Sequence, residues 1–303
     1  MKKQSERIAK YIFMIFGCLA VVSVIAITLY MFLKGMPALF KVGVPELLFG
    51  TVWKPTAAEP SYGILYIILS SIIGTAGAVI LGVPIGLFTA VFLTDLTSES
   101  KTGRKISAVL SSAVELLAAI PSVIYGLIGM MILNPFMYKM EKLLFENSDT
   151  HQFTGGANLL SAIIVLAIMI LPTVINISAS SIRAVPQSMR AASLALGATK
   201  LQTIFKVVIP AASSGIMTGV VLGIGRALGE AMAINMVAGG SVNIPLPFNS
   251  VRFLTTQLVS EMSYSSGLHR QVLFTVGLVL YIFIVLINLM LTSLKKKGEQ
   301  KND

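Results

Sequence analysis

Long apolar stretches alternate with short polar ones along the whole chain. Six are long enough to matter: about Tyr11 to Leu33, Gly63 to Leu93, Ile106 to Pro135, Asn158 to Ser181, Val207 to Ala238 and Gln271 to Leu294. A hydrocarbon core about 30 Å thick takes roughly 20 apolar residues to cross as a helix. A helix satisfies its own backbone groups where water cannot. The pattern therefore predicts an all-α, polytopic membrane protein with six transmembrane helices. The second and fifth stretches carry glycines four residues apart, Gly82 and Gly86 in one and Gly215, Gly219 and Gly223 in the other. That spacing lets helix backbones approach closely.

Between the fourth and fifth stretches lies a polar, basic segment, residues 185–210, VPQSMRAASLALGATKLQTIFKVVIP. Pro186 suits a first helical turn, Met189, Ala192 and Leu196 recur at helical spacing, and Gly197 can close that helix in a left-handed cap. Thr199 and Gln202 then match a T-x-x-Q capping box, which starts a second helix leading to Pro210. The expectation is a short helix across the membrane face, a turn, and a helix rising into the bilayer. Further on, Val251, Leu254, Leu258 and Met262 lie at helical spacing in the loop from Gly239 to Arg270. They predict a short amphipathic helix on the outer surface, or a hydrophobic lid over the helix ends.

Composition agrees with the pattern. Hydrophobic residues make up 55% of the chain and charged residues 12%, with mean hydropathy +0.85; a soluble domain carries about 25% charge. The Lys and Arg residues set the orientation. With both termini inside, the segments around 2–10, 101–105, 183–206 and 295–301 hold fifteen of the 23, the outside segments hold seven, and Arg226 lies within a span. The positive-inside rule then puts both termini and the 185–210 segment in the cytoplasm of a multi-pass cell-membrane protein. These flanks account for the net charge of +10, so it does not imply nucleic-acid binding. The first stretch, about 23 residues with no small-x-small site before Lys34, is too long for a cleavable signal and is expected to be retained. Cys18 lies inside it and has no cysteine to pair with. His151 and His269 fall in separate outside loops, where solvation is expected rather than a metal site.

Catalytic motifs are not found. No G-x-x-x-x-G-K-[ST] run cradles a nucleotide phosphate. Gly223-x-Gly225-x-x-x-Gly229 has one residue too many for a dinucleotide fingerprint and lies in an apolar helix. No Ser/His/Asp or Cys/His set can be assembled, so no enzyme activity, metal or cofactor is expected on this chain.

The charges within the apolar stretches carry the candidate chemistry. An Arg at the centre of a spanning helix costs about 2.5 to 3.5 kcal/mol even on lenient scales. Arg226 and Glu230 lie four residues apart in the fifth stretch, and at 3.6 residues per turn they share a face with Gly215, Gly219 and Gly223. Two compatible readings stay open: a structural ion pair across one turn, or a guanidinium fork that meets an oxyanion in a water-filled path. Glu115, a turn and a half before the proline expected to kink the third stretch, Pro121, is a second candidate for the path or for structure.

Gly197, followed nine residues later by Val207-Val208-Ile209-Pro210, resembles the E-A-A-x3-G-x9-I-x-L-P signature of permease subunits of ABC importers, with Ala191, Ala192 and Ser193 in place of Glu-Ala-Ala. The runs Glu115 to Gly126 (ELLAAIPSVIYG), Ile168 to Thr173 (IMILPT) and Gly225 to Gly239 (GRALGEAMAINMVAG) make it similar to the phosphate-specific, PstC-type permeases. The resemblance covers roughly Gly63 to Leu294. It implies a type I ABC importer permease (MetI-like) fold. It divides the chain into a first helix with its outer loop (1–62), a permease core (63–294) and a basic cytoplasmic tail (295–303). It also implies a substrate path at Arg226, Glu230, Gly219 and Gly223, and ATPase coupling through Arg190, Ala191, Ala192, Leu196, Gly197 and Pro210. The implied partners are a second, PstA-like permease, a PstB-like ATPase dimer that holds ATP and magnesium, a PstS-like extracytoplasmic phosphate-binding protein received by the 239–270 loop, and inorganic phosphate. The charge argument alone leaves open another oxyanion, sulfate or molybdate. A secondary transporter would call for inverted repeats, and the first three stretches hold no counterpart of Arg226 and Glu230.

Overall fold

A computed structural model describes residues 2–96, 101–148 and 151–300; the last residues of the basic tail, 301–303, lie outside them. The chain forms two compact units, Met1–Ile64 with Glu261–Ile282, and Leu65–Ser260 with Phe283–Asp303.

In the first unit, α1 (Lys2–Val42) runs through Pro37 and is far longer than the stretch that predicts it. At about 1.5 Å per residue it exceeds a bilayer core. The short α2 (Val44–Phe49) follows, and then an antiparallel pair, β1 (Trp53–Lys54) and β2 (Ser61–Tyr62). Gly35 lets α1 lie against residue 275: a Cβ there would stand 3.0 Å from the Thr275 backbone nitrogen, and the Thr275 hydroxyl donates to the Gly35 carbonyl at 2.8 Å. The Glu261 carboxylate accepts from the Trp53 indole at 3.1 Å and meets His269 Nε2 at 2.8 Å.

The second unit is built round α7 (Leu159–Arg183). Its N-cap is Asn158, whose side chain accepts from the Ser161 amide at 3.0 Å. Helix α3 (Leu65–Val91) ends in a π-helical turn, Phe92–Leu96. It lays Gly82 against Ile170 and Gly86 against Val174 of α7. On another side of α7, Gly215, Gly219 and Gly223 of α11 (Ser213–Gly229) meet Ser181, Ile177 and Val174. Both glycine stripes thus bring helices together, as their spacing predicts.

The third span is displaced from its predicted position. Helix α4 (Lys101–Ala119) is amphipathic and stops before Pro121. The crossing candidate is instead Ser122–Phe145, made of α5 (Ser122–Ile128), a π-helical turn at Gly129–Leu133, and α6 (Asn134–Phe145). Proline has no amide to donate and forces the residue before it out of helical geometry, so the expected kink is a full break. The Tyr125 hydroxyl spans that break, donating to the Leu117 carbonyl at 2.6 Å.

After α7 come α8 (Gln187–Ala195), α9 (Lys200–Thr203), a π-helical turn at Ile204–Val208 and α10 (Ile209–Ala211). Lys200–Ala211 and Ser213–Gly229 are together long and apolar enough to cross a membrane but meet at 69°. Among the described residues five helices are long and apolar enough to cross a membrane, or six with that bent pair taken as one. The fifth span therefore begins earlier than Val207 and stops at Gly229, short of Ala238. Beyond it are α12 (Met232–Val237), α13 (Leu254–Glu261) and α14 (Gly267–Gln300). Helix α13 forms where the spacing predicts one, and it packs inward, as the lid alternative has it, rather than lying free on a surface. Leu254, Thr256 and Gln257 are buried, and the Leu254 amide donates to Ser71 at 2.9 Å. The histidines are not free in solvent either. His151 stacks on Phe145 at 3.9 Å and meets the fully buried Glu141 at 2.8 Å, and His269 meets Glu261; each loop folds back onto a carboxylate.

Candidate functional sites in the span and at its cytoplasm-type segment

Arg226 occupies the last turn of α11 and is half-buried. Its Nη1 reaches Thr173 Oγ1 of α7 at 3.5 Å, a long contact. The expected ion pair with Glu230 does not form. Glu230 is extended, with φ −74° and ψ 131°, because α11 ends at Gly229. Two bonds fix it there: its carboxylate accepts from the Ala233 amide at 3.0 Å, closing the start of α12, and its carbonyl accepts from the Thr255 hydroxyl at 2.6 Å. With the helix ended, residues 226 and 230 no longer share a face. Among the described residues Arg226 thus meets a neutral hydroxyl at the long end of hydrogen bonding and has donor capacity to spare.

Gly219 and Gly223, predicted to leave room along a path, are buried against α7. Within α11 the glycines that border open space are Gly225 and Gly229, where an added Cβ would meet nothing within 4 Å. Glu115 is exposed on α4 and makes no ion pair with Arg226 among the described residues.

The 185–210 segment folds as its local signals predict. Pro186 precedes α8, Gly197 has φ +84°, and Thr199 and Gln202 form both bonds of the capping box, at 3.2 and 2.9 Å. Ala191, Ala192 and Gly197 are exposed, and Leu196 is 90% exposed, as only a residue awaiting a partner or solvent would be. Pro210 enters α10 just before the bend. Arg190 differs from its neighbours. Its guanidinium turns inward, ion-paired with Asp95 and donating to the Ile182 carbonyl at 2.8 Å. A recess of about 350 Å³ lies beside it, lined by Thr94, Asp95, Arg183, Lys200 and Thr203 among others. A second recess, of about 850 Å³, lies between residues 145–157 and 239–250 and is lined by Tyr66, His151, Gln152, Asn243 and Asn249 among others.

Sequence reasoning overlooked Asp95 and Thr173. A signal for Asp95 was present: it is the first acidic residue after Glu59, at the end of a long apolar run, and an isolated carboxylate there calls for a cation. Thr173 had no such signal, since only the packing of α11 on α7 brings it to Arg226.

Similarity to known proteins agrees with this architecture. A Bacillus subtilis (strain 168) protein named "Probable ABC transporter permease protein YqgH" is 39% identical over 272 residues, covering 87% of this chain and 83% of that one. The "Phosphate transport system permease protein PstC" of Pasteurella multocida (strain Pm70) is 32% identical over 270 residues, covering 84% and 82%. Among solved structures, a chain of a bacterial alginate ABC transporter superposes with a TM-score of 0.63 at 14% identity, over 94% of each chain, which is a likeness of fold. Residues 82–299 match the family described as Binding-protein-dependent transport system inner membrane component, and the chain belongs to that family of ABC transporter permeases.

Proposed function

We propose that this chain is the permease subunit of an ATP-driven phosphate importer, supplying the transmembrane path and the lever that couples it to a separate ATPase. The observation that carries the substrate is the similarity to permeases named for phosphate transport, at 32% identity over most of the chain. Arg226 supports it physically. Phosphate must leave water with more than one negative charge, which is prohibitive without compensation. A guanidinium not neutralised by Glu230 offers a bidentate fork to an oxyanion.

In this reading α8 presents Leu196 and the Gly197 turn to a cytoplasmic ATPase dimer, PstB-like, which holds ATP and magnesium; the chain itself carries neither. A PstA-like second permease completes the path. A PstS-like phosphate-binding protein delivers the anion on the opposite face, where the recess between residues 145–157 and 239–250 would receive it. Both termini are then cytoplasmic, as the distribution of Lys and Arg requires.

The test is uptake of radiolabelled phosphate by proteoliposomes holding the assembled importer and its binding protein. Uptake should need ATP inside and should resist a hundredfold excess of sulfate or molybdate. Competition by either oxyanion, or uptake driven by an ion gradient alone, would overturn the assignment.

A further inference from the structure

The family resemblance links Arg190 to ATPase coupling without saying which residue of this chain it acts on, and the structure pairs it with Asp95. Helix α8 buries none of its residues, so apolar packing does not fix it to the rest of the chain. What holds it are polar links. Arg190, whose side chain is 15% exposed, pairs with Asp95, which is 8% exposed, and donates to the carbonyl of Ile182 in the last turn of α7. Ser193 meets Thr203 at 2.9 Å. Asp95 belongs to the π-helical turn that continues α3, and its carboxylate is oriented by the Thr94 hydroxyl at 3.0 Å. One guanidinium therefore joins α8 to the ends of two helices, α3 and α7, that pack on one another through Gly82 and Gly86.

We infer that the Arg190–Asp95 pair is the positioning contact through which a displacement of α8 is passed to α3 and α7, so that ATP hydrolysis is converted to transport. A mostly buried guanidinium that bonds Asp95 through Nη1 and the Ile182 carbonyl through Nη2 suits this role, because directional charge-assisted bonds resist shear in a way that a sliding apolar contact does not. Neutralising Asp95 would also take the carboxylate from a largely desolvated Arg190 guanidinium. The carboxylate of the family signature is missing at Ala191, so α8 offers the ATPase no acidic group there, and its one inward charge is committed to its own chain. The inference rests on the proposed docking of an ATPase at α8.

The assembled importer should be compared with Asp95→Asn, Arg190→Gln and the exchanged pair Asp95→Arg/Arg190→Asp, at matched membrane abundance. Two quantities are read: ATPase subunit co-purified per permease, and ATP hydrolysed per phosphate moved. In Asp95→Asn the ATPase should co-purify as in the wild type, since Asp95 lies outside the segment proposed to dock and leaves Leu196 and Gly197 untouched. The ATP used per phosphate should rise by about tenfold, within the usual range of coupling effects. The exchanged pair should recover part of that loss. An unchanged ratio in both single variants would overturn the inference, as would loss of co-purification in Asp95→Asn, which would make the pair a support of the docking surface only. Failure of the wild-type chain to retain any ATPase would instead refute the docking on which the inference depends.

Discussion

Arg226 reaches the neutral Thr173 hydroxyl at 3.5 Å rather than Glu230, which removes the ion pair across one turn and leaves the oxyanion reading to be tested. If Glu230 were its counter-ion, removing both charges would relieve a desolvation cost and preserve function. With Glu230 engaged at Ala233 instead, the double variant should behave like Arg226→Met alone. Uptake should fall by about tenfold or more, since a hydrogen bond to a charged group contributes about 1.5–3 kcal/mol. Recovery of radiolabelled uptake in Arg226→Met/Glu230→Gln would falsify this separation. Glu230→Gln by itself should be mild, because an amide oxygen can still accept from Ala233. Glu230→Ala removes the cap and should destabilise α12 by about 1 kcal/mol, visible as a lower melting temperature. Gly197 was readable in the sequence because a left-handed cap is a local event. Gly197→Val at φ +84° should strain the turn by about 1–2 kcal/mol and weaken ATPase co-purification while membrane insertion stays normal.

Whole elements were legible where the determinants lay close together in the chain. The capping box at Thr199 and Gln202, the Asn158 start of α7 and the glycine stripes of α3 and α11 all depend on residues within a few positions of one another. The misread elements depend on distant contacts. Hydropathy runs unbroken through Gly229 to Ala238, and the end of α11 is secured from outside by Thr255. The residues of α13 alternate as a surface helix would, yet they fold inward to Ser71. At Pro121 the signal was present but its strength was underestimated, which shifted the third span. The Tyr125 hydroxyl bond across that break is open to test. Tyr125→Phe should leave the fold intact and loosen the join of α4 and α5, with hydrogen exchange at residues 122–124 faster by about fivefold if the bond contributes about 1 kcal/mol.

For the whole molecule, the arrangement in the membrane follows from charge. In a Cys18→Ser background, an impermeant thiol reagent should label Ser188→Cys only from the cytoplasm and Ser241→Cys only from the other side. Labelling of both from one side would overturn the proposed topology. Arg226, its Thr173 contact and the bent entry at α10 all belong to one chain; in the proposed importer the path is completed by a second permease, so this chain expressed alone should insert and move no phosphate. The absence of buried residues in α8 has a consequence for the choice of partner. A helix that turns only Arg190 and Ser193 towards its own chain can change its outward residues without unfolding the subunit. If an ATPase docks there as proposed, those outward side chains alone would set which motor the subunit accepts. Grafting residues 187–199 from a related permease should therefore switch which ATPase the subunit accepts, provided Arg190 is kept.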